Sequence, residues 1–155
     1  MFSHRILNSK QAKEVLSLIE SQWGADVSRL REKYAFLINS RNRLFVITRD
    51  VANIDFSALH INSMGLYFGE LFNGVLRLTI EGSQIIGPSA GKNVVELSSE
   101  EMKSWLRGND ISKSCSDCSG FVIVKRESDF LGSGRYSNGV IKNFVPKTRR
   151  IRDGD

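Results

Sequence analysis

The stretch Leu131–Arg152, LGSGRYSNGVIKNFVPKTRRIR, carries Arg135, Lys142, Lys147, Arg149, Arg150 and Arg152, and no acidic residue. Tyr136 and Phe144 interleave with these cations. Asn138-Gly139 divides the stretch into two strand-like runs, and Asn-Gly between such runs is the strongest short hairpin signal. A type I′ turn needs positive φ at both central residues, which Asn tolerates and Gly adopts freely. The stretch therefore reads as a folded ribbon that presents cations, not as a loose basic tail. Cations held at fixed spacing beside aromatic rings suit phosphates and unstacked bases.

The rest of the chain supports that emphasis. Net charge is +5 over 155 residues, from 22 Lys/Arg against 17 Asp/Glu. The excess is local. Six of the cations lie in the acid-free stretch, and clustering of this kind steers anions in a way net charge alone does not. A hydrophobic content of 41% with 25% charged residues is that of a soluble globular chain. No apolar run approaches the ~20 residues of a membrane span. The opening MFSHRILNSKQAKEV has no apolar core of signal-peptide length. The expectation is a cytoplasmic protein with no membrane partner.

In chain order, Asn8 and Gln11 have the form of a capping box. Behind them Ala12, Val15, Leu16, Ile19 and Trp23 recur at helical spacing, and Gly24 is placed to end the helix, so residues 9–23 read as an amphipathic helix. Tyr34–Ile38 and Leu44–Thr48 read as one hairpin, Gly65–Leu71 and Val75–Ile80 as a second across Phe72-Asn73-Gly74. Asp50–His60 is ambiguous, a short helix through Phe56 and Leu59 being one reading. Glu81–Ile86 is a helical turn closed by Gly87-Pro88, and residues 89–93 are linker-like. That places a lobe boundary between residues 1–90 and 91–155. The second lobe opens with a strand at Val94–Leu97, and the capping box Ser98/Glu101 leads a helix to Leu106 that Gly108 ends. Trp105 and Leu106 are expected in its core. Asn109–Ser119 reads as a polar loop, and Phe121–Lys125 as a strand before the ribbon.

Several motifs fail on inspection. Gly132-Ser133-Gly134-Arg135 lacks the third glycine and the following helix of a dinucleotide fingerprint, so its glycines read as sites of a bulge or a close backbone approach. Cys115-Ser116-Asp117-Cys118 has no second ligand pair for zinc and precedes a strand where a redox pair would precede a helix, so the cysteines are expected to be idle. No Ser/His/Asp order, HExxH or phosphate loop is present, which favours binding over catalysis.

Leu106-Arg107-Gly108-Asn109-Asp110-Ile111, Gly120–Val124, Leu131–Gly134, Asn138-Gly139 and Lys142–Lys147 with Arg150 together resemble the PUA-like RNA-binding module. The later part of this string resembles the C-terminal tail of Fmu/Sun-type RNA cytosine-5 methyltransferases. The part from Gly65–Gly69 through Leu106–Asn109 is similar to the Nip-type ribosome-biogenesis factors, in which an N-terminal α/β lobe precedes a PUA lobe. No Rossmann domain with a nucleophilic cysteine accompanies it here.

The resemblance implies an α+β fold, an α/β pre-PUA-like lobe followed by a small PUA-like β-barrel lobe. It implies RNA binding in rRNA or tRNA maturation, without catalysis, cofactor or metal. Arg107, Arg135, Tyr136, Lys142, Lys147, Arg149 and Arg150 are the expected RNA contacts on one basic surface. The N-terminal lobe would then recruit a protein, such as an RNA methyltransferase or a ribosome-biogenesis factor. An alternative is a non-catalytic adaptor whose main partner is protein.

Overall fold

In the computed structural model of the chain, residues 4–49 and 65–152 are described. The short helix that is one reading of Asp50–His60 lies outside them. Helix α1, Ser9–Trp23, begins with the full capping box: Gln11 N–H donates to Asn8 Oδ1, and the Asn8 N–H donates to Gln11 Oε1. Gly24 closes it at φ +61°, the left-handed geometry that glycine adopts without a Cβ penalty. The apolar stripe Val15, Leu16, Ile19 and Trp23 is buried against a five-stranded sheet.

That sheet is an antiparallel meander: β1 Arg5–Ile6, β2 Tyr34–Ile38, β3 Arg43–Thr48, β4 Leu66–Phe72 and β5 Val75–Leu78, in that spatial order. The second hairpin turns at Asn73-Gly74, both at positive φ as a type I′ turn requires. Three details were not in the sequence reading. The two-residue β1 and the short helix α2, Ser28–Lys33, are additions. The strand expected to run to Ile80 stops at Leu78, because the Thr79 hydroxyl accepts from Gly82 N–H and caps helix α3, Ile80–Ile86. A 3-10 turn, Gly87–Ser89, follows.

The second sheet contains β6 Val94–Glu96, β7 Ile111–Ser112, β8 Gly120–Arg126, β9 Asp129–Ser137 and β10 Val140–Lys142, in the spatial order β6-β8-β9-β10-β7. Only β6–β8 is parallel. The sheet curls into a half-barrel whose edges approach closely enough for Lys113 Nζ, just after β7, to donate to the Glu96 carbonyl of β6 at 2.7 Å. Helix α4, Ser99–Leu106, carries the second complete capping box and sends the fully buried Trp105 into the barrel; Leu106 is half-buried beside it. The helix ends at Arg107, and Gly108 follows at φ +95°. Two expectations change here. The polar loop 109–119 contains β7, which exists because Ile111 and Ser112 pair with Ile141 and Val140. The cysteines are not idle but joined as a Cys115–Cys118 disulfide.

Strand β8 is the wall common to both cores. Its side chains alternate, as a strand's must: Phe121 and Ile123 belong to the α1 core, Val122 and Val124 to the Trp105 core. A continuous Phe-Val-Ile-Val run is the signature of a strand buried on both faces.

Candidate nucleic-acid interface

The hairpin expected at Asn138-Gly139 is present, with both turn residues at positive φ. Its register places Arg135 directly opposite Lys142, so both exposed cations share one face of the β9–β10 pair. The second strand is shorter than the ribbon reading required. It ends at Lys142 because the Asn143 side chain turns the backbone, donating to the Trp105 and Asn109 carbonyls while Asn143 N–H donates to Asp110. Pro146 then leads a 3-10 turn, Lys147–Arg149.

The seven expected contact residues are distributed over the C-terminal half as follows. Arg107 is exposed at the end of α4. Arg150 lies beside it, its guanidinium occupying the space above Gly108 that any side chain there would fill, with Nε donating to the Val145 carbonyl at 3.0 Å. Ile151 N–H donates to the Leu106 carbonyl and ties the tail to the same helix end. Cations there complement the partial negative charge of a helix C-terminus. Lys147 is exposed on the 3-10 turn. Arg149 leans toward the first half and pairs with Glu81 of α3 at 2.6 Å. Arg135 lines a cleft with Lys92 and Phe121. Tyr136 is half-buried against the Trp105 core, and its hydroxyl accepts from Cys115 N–H at 3.0 Å. Phe144 packs edge-on to Phe121 at 5.7 Å, with Lys142 Nζ 5.9 Å and the Arg77 guanidinium 5.1 Å from its ring centre.

The glycines of Gly132-Ser133-Gly134 serve close approach. A Cβ on Gly134 would stand 2.6–2.7 Å from Ile141, the Lys142 carbonyl and Trp105. Gly132, at φ +100°, brings its N–H to the Ser83 hydroxyl of α3 at 2.8 Å.

Residues 92–151 match the family described as the methyltransferase RsmF PUA domain. The C-terminal half is a PUA-like module. Relatives include the ribosomal RNA small subunit methyltransferase F of Aeromonas hydrophila, 30% identical over 97 residues, and that of Vibrio cholerae, 24% identical over 95 residues. The matches cover 63% and 61% of this chain, and the chain spans 20% of the length of each relative. A solved structure of a hypothetical protein from Pyrococcus horikoshii OT3 shares the fold, with a TM-score of 0.58 at 11% identity over 91% of this chain and 83% of that one. The shared α+β fold thus extends over nearly the whole chain.

A second group of polar residues is not legible in the sequence, because Arg43 reads as part of the polar turn 39–43 and Tyr67 and Arg77 stand singly within apolar strands. Arg43, Tyr67 and Arg77 of the first sheet line a cleft with Phe144 and Arg149 of the PUA-like module. Tyr67 is held above the ordinary phenol range, chiefly by burial and against the opposing charge of Arg77, so its hydroxyl stays protonated. Glu101 lies below the ordinary carboxyl range, first because Ser98 N–H donates to it and then because Lys113 does. Among the described residues no group of three or more His, Cys, Asp or Glu is arranged to hold a metal, and no helix is long and apolar enough to cross a membrane.

Proposed function

We propose that this chain binds structured RNA during ribosomal RNA maturation, through cations of the PUA-like module, and contributes no catalysis of its own. The observation that carries the reading is the match of residues 92–151 to the PUA domain of a ribosomal RNA methyltransferase, coincident with the exposed cations Arg107, Arg135, Lys142 and Lys147. In this reading residues 91–155 form the RNA-binding lobe. Each cation on a phosphate releases a condensed counterion, so log K falls with log salt by roughly 0.7–0.9 per contact.

The experiment is RNA binding across a salt series with a ribosomal RNA hairpin. Wild type should show a slope worth several contacts, and Lys147→Ala should reduce it by about one while weakening all RNAs alike. A slope indifferent to Lys147→Ala, Arg135→Ala and Lys142→Ala, or affinity weaker than about millimolar at low salt, would defeat the reading.

A second reading, an adaptor whose main partner is protein, is favoured by one observation. Phe72 and Val75, cross-strand partners at the tip of the β4–β5 hairpin, are 49% and 38% exposed. Loss of RNA binding together with capture of a methyltransferase chain through this hairpin would establish it instead.

A further inference from the structure

The cleft between the two sheets has a volume of about 430 Å³, within the range of sites that enclose a small organic ligand. Its walls come from both halves of the protein: Arg43, Tyr67 and Arg77 on one side, Phe144 and Arg149 on the other, with Glu81 at the junction. Strand register sets the charges of the first wall. Arg43 is opposite Glu70 on β4, and Glu70 is opposite Arg77 on β5, so one carboxylate stands between two guanidiniums. Glu70 pairs with Arg77 at 2.7 Å. The Arg43 guanidinium lies 5.6 Å from the Tyr67 ring centre, and its Nε is buried with no acceptor among the described residues. Arg149 is already matched by Glu81. The surplus charge of the cleft is therefore the guanidinium of Arg43.

A buried guanidinium N–H without an acceptor is costly, and the anion that best fits a guanidinium fork is a carboxylate or a phosphate. The remaining lining selects between them. Phe144, with a cation over its ring, and the apolar Ile80 and Leu131 would be wasted on a small anion. The protonated Tyr67 hydroxyl and the acceptor oxygens of Glu81 offer both kinds of hydrogen-bonding group. Phosphate donors, aromatic surface and mixed polar edges within one concave site match a nucleotide, and a base locked in an A-form helix cannot enter a concavity.

We propose that this cleft receives one unpaired nucleotide of the bound RNA, its phosphate on Arg43 and its base between Tyr67 and Phe144. The inference rests on the RNA-binding reading and extends it. The N-terminal half then touches the RNA directly, and the protein prefers RNA with an extruded nucleotide.

The test compares an RNA hairpin carrying a single-nucleotide bulge with the fully paired hairpin of the same stem, for wild type, Arg43→Gln, Tyr67→Phe and Lys147→Ala. Wild type should favour the bulged RNA on the order of tenfold, the effect of one or two charge-assisted contacts. Arg43→Gln should erase that preference and Tyr67→Phe, which keeps the ring and removes only the hydroxyl, should reduce it, while both leave the paired hairpin's affinity unchanged. Lys147→Ala should weaken both RNAs equally. Tyr67→Phe changes no packing volume and serves if Arg43→Gln melts early. Equal binding of the two RNAs by wild type, or a preference that survives both cleft variants, would overturn the cleft and leave the RNA reading standing. No binding of either RNA by wild type would overturn both.

Discussion

The Ser133 hydroxyl of β9 bonds both backbone groups of Leu78 on β5: it donates to the carbonyl at 2.9 Å and accepts from the N–H at 3.0 Å. Leu78 lies on the outer edge of the first sheet, where unpaired backbone would otherwise be left inside the molecule. Two residues earlier, the Gln22 side chain of α1 does the same for Leu76. One edge strand is thus completed by two side chains instead of a sixth strand.

Ser133→Ala should therefore leave a donor and an acceptor buried and unmatched, at a cost of about 1–3 kcal/mol. Urea denaturation should show a lower midpoint with an unchanged slope. A midpoint equal to wild type would mean that water replaces the hydroxyl.

Gly134→Ala probes the neighbouring close approach. Its backbone is not left-handed, so the penalty is purely steric: the new methyl meets Ile141, the Lys142 carbonyl and Trp105. Overpacking of this kind costs roughly 1–3 kcal/mol. A Cβ on Gly139 meets nothing within 4 Å, but the residue sits at φ +79°. Gly139→Ala should cost on the order of 1 kcal/mol through backbone strain alone. Thermal melting of the two variants separates the causes, and reversal of their order would contradict the packing described.

Much of this fold can be read from the sequence wherever local chemistry decides it. Asn8 with Gln11 and Ser98 with Glu101 announce their helices because a capping box is made within four consecutive residues. Asn73-Gly74 and Asn138-Gly139 announce their hairpins for the same reason. What could not be read is set by distant partners. The strands β1 and β7 are two residues each and exist only through pairing. Helix α2 has a single buried residue, Leu30, and no side-chain cap. Of the contact residues, the cations were visible but their counter-charges were not. Glu81, the partner of Arg149, lies far upstream of the acid-free stretch, and the cleft that Arg43 lines is made by strand register.

The disulfide and Tyr136 make one testable unit. The two cysteines are 3 apart in sequence, and so short a loop gives the cross-link no more than about 2 kcal/mol in the chain-entropy account. Reduction, or replacement of both cysteines by serine, should lower stability by less than that. Tyr136→Phe should speed amide exchange at Cys115, whose N–H the hydroxyl receives. Tyr136→Ala should lower the melting temperature, as removal of a half-buried ring from the Trp105 core requires. An unchanged melting temperature with weaker RNA binding would return Tyr136 to the role of a base contact.

Glu101 gives a pH dependence. Its carboxyl is held below the ordinary value of 4.5 by Ser98 N–H at 2.8 Å and by Lys113 at 2.9 Å. A carboxyl depressed in the folded state stabilises the protein above its unfolded value and loses that contribution as pH falls through the folded one. Wild type should therefore lose more stability on acidification below 4.5 than Glu101→Gln, whose amide oxygen can still accept from Ser98. Parallel acid profiles for the two proteins would show that neither the Ser98 N–H nor Lys113 favours the ionised carboxyl.

The order β6-β8-β9-β10-β7 also has a consequence for the chain during its synthesis. The first sheet is a meander in which each strand pairs with the one made just before it, so it can assemble as it emerges from the ribosome. The second sheet is made from its rims inward. Its two outermost strands leave the ribosome before any of the three that separate them, and each waits for a partner: β6 for β8, β7 for β10. Residues 94–96 stay unpaired until β8 is out, and residues 111–112 until β10 is. A nascent chain arrested before Val140 would hold a finished first sheet beside an incomplete second one, with Ile111 still exposed to whatever chaperone or neighbour meets it first.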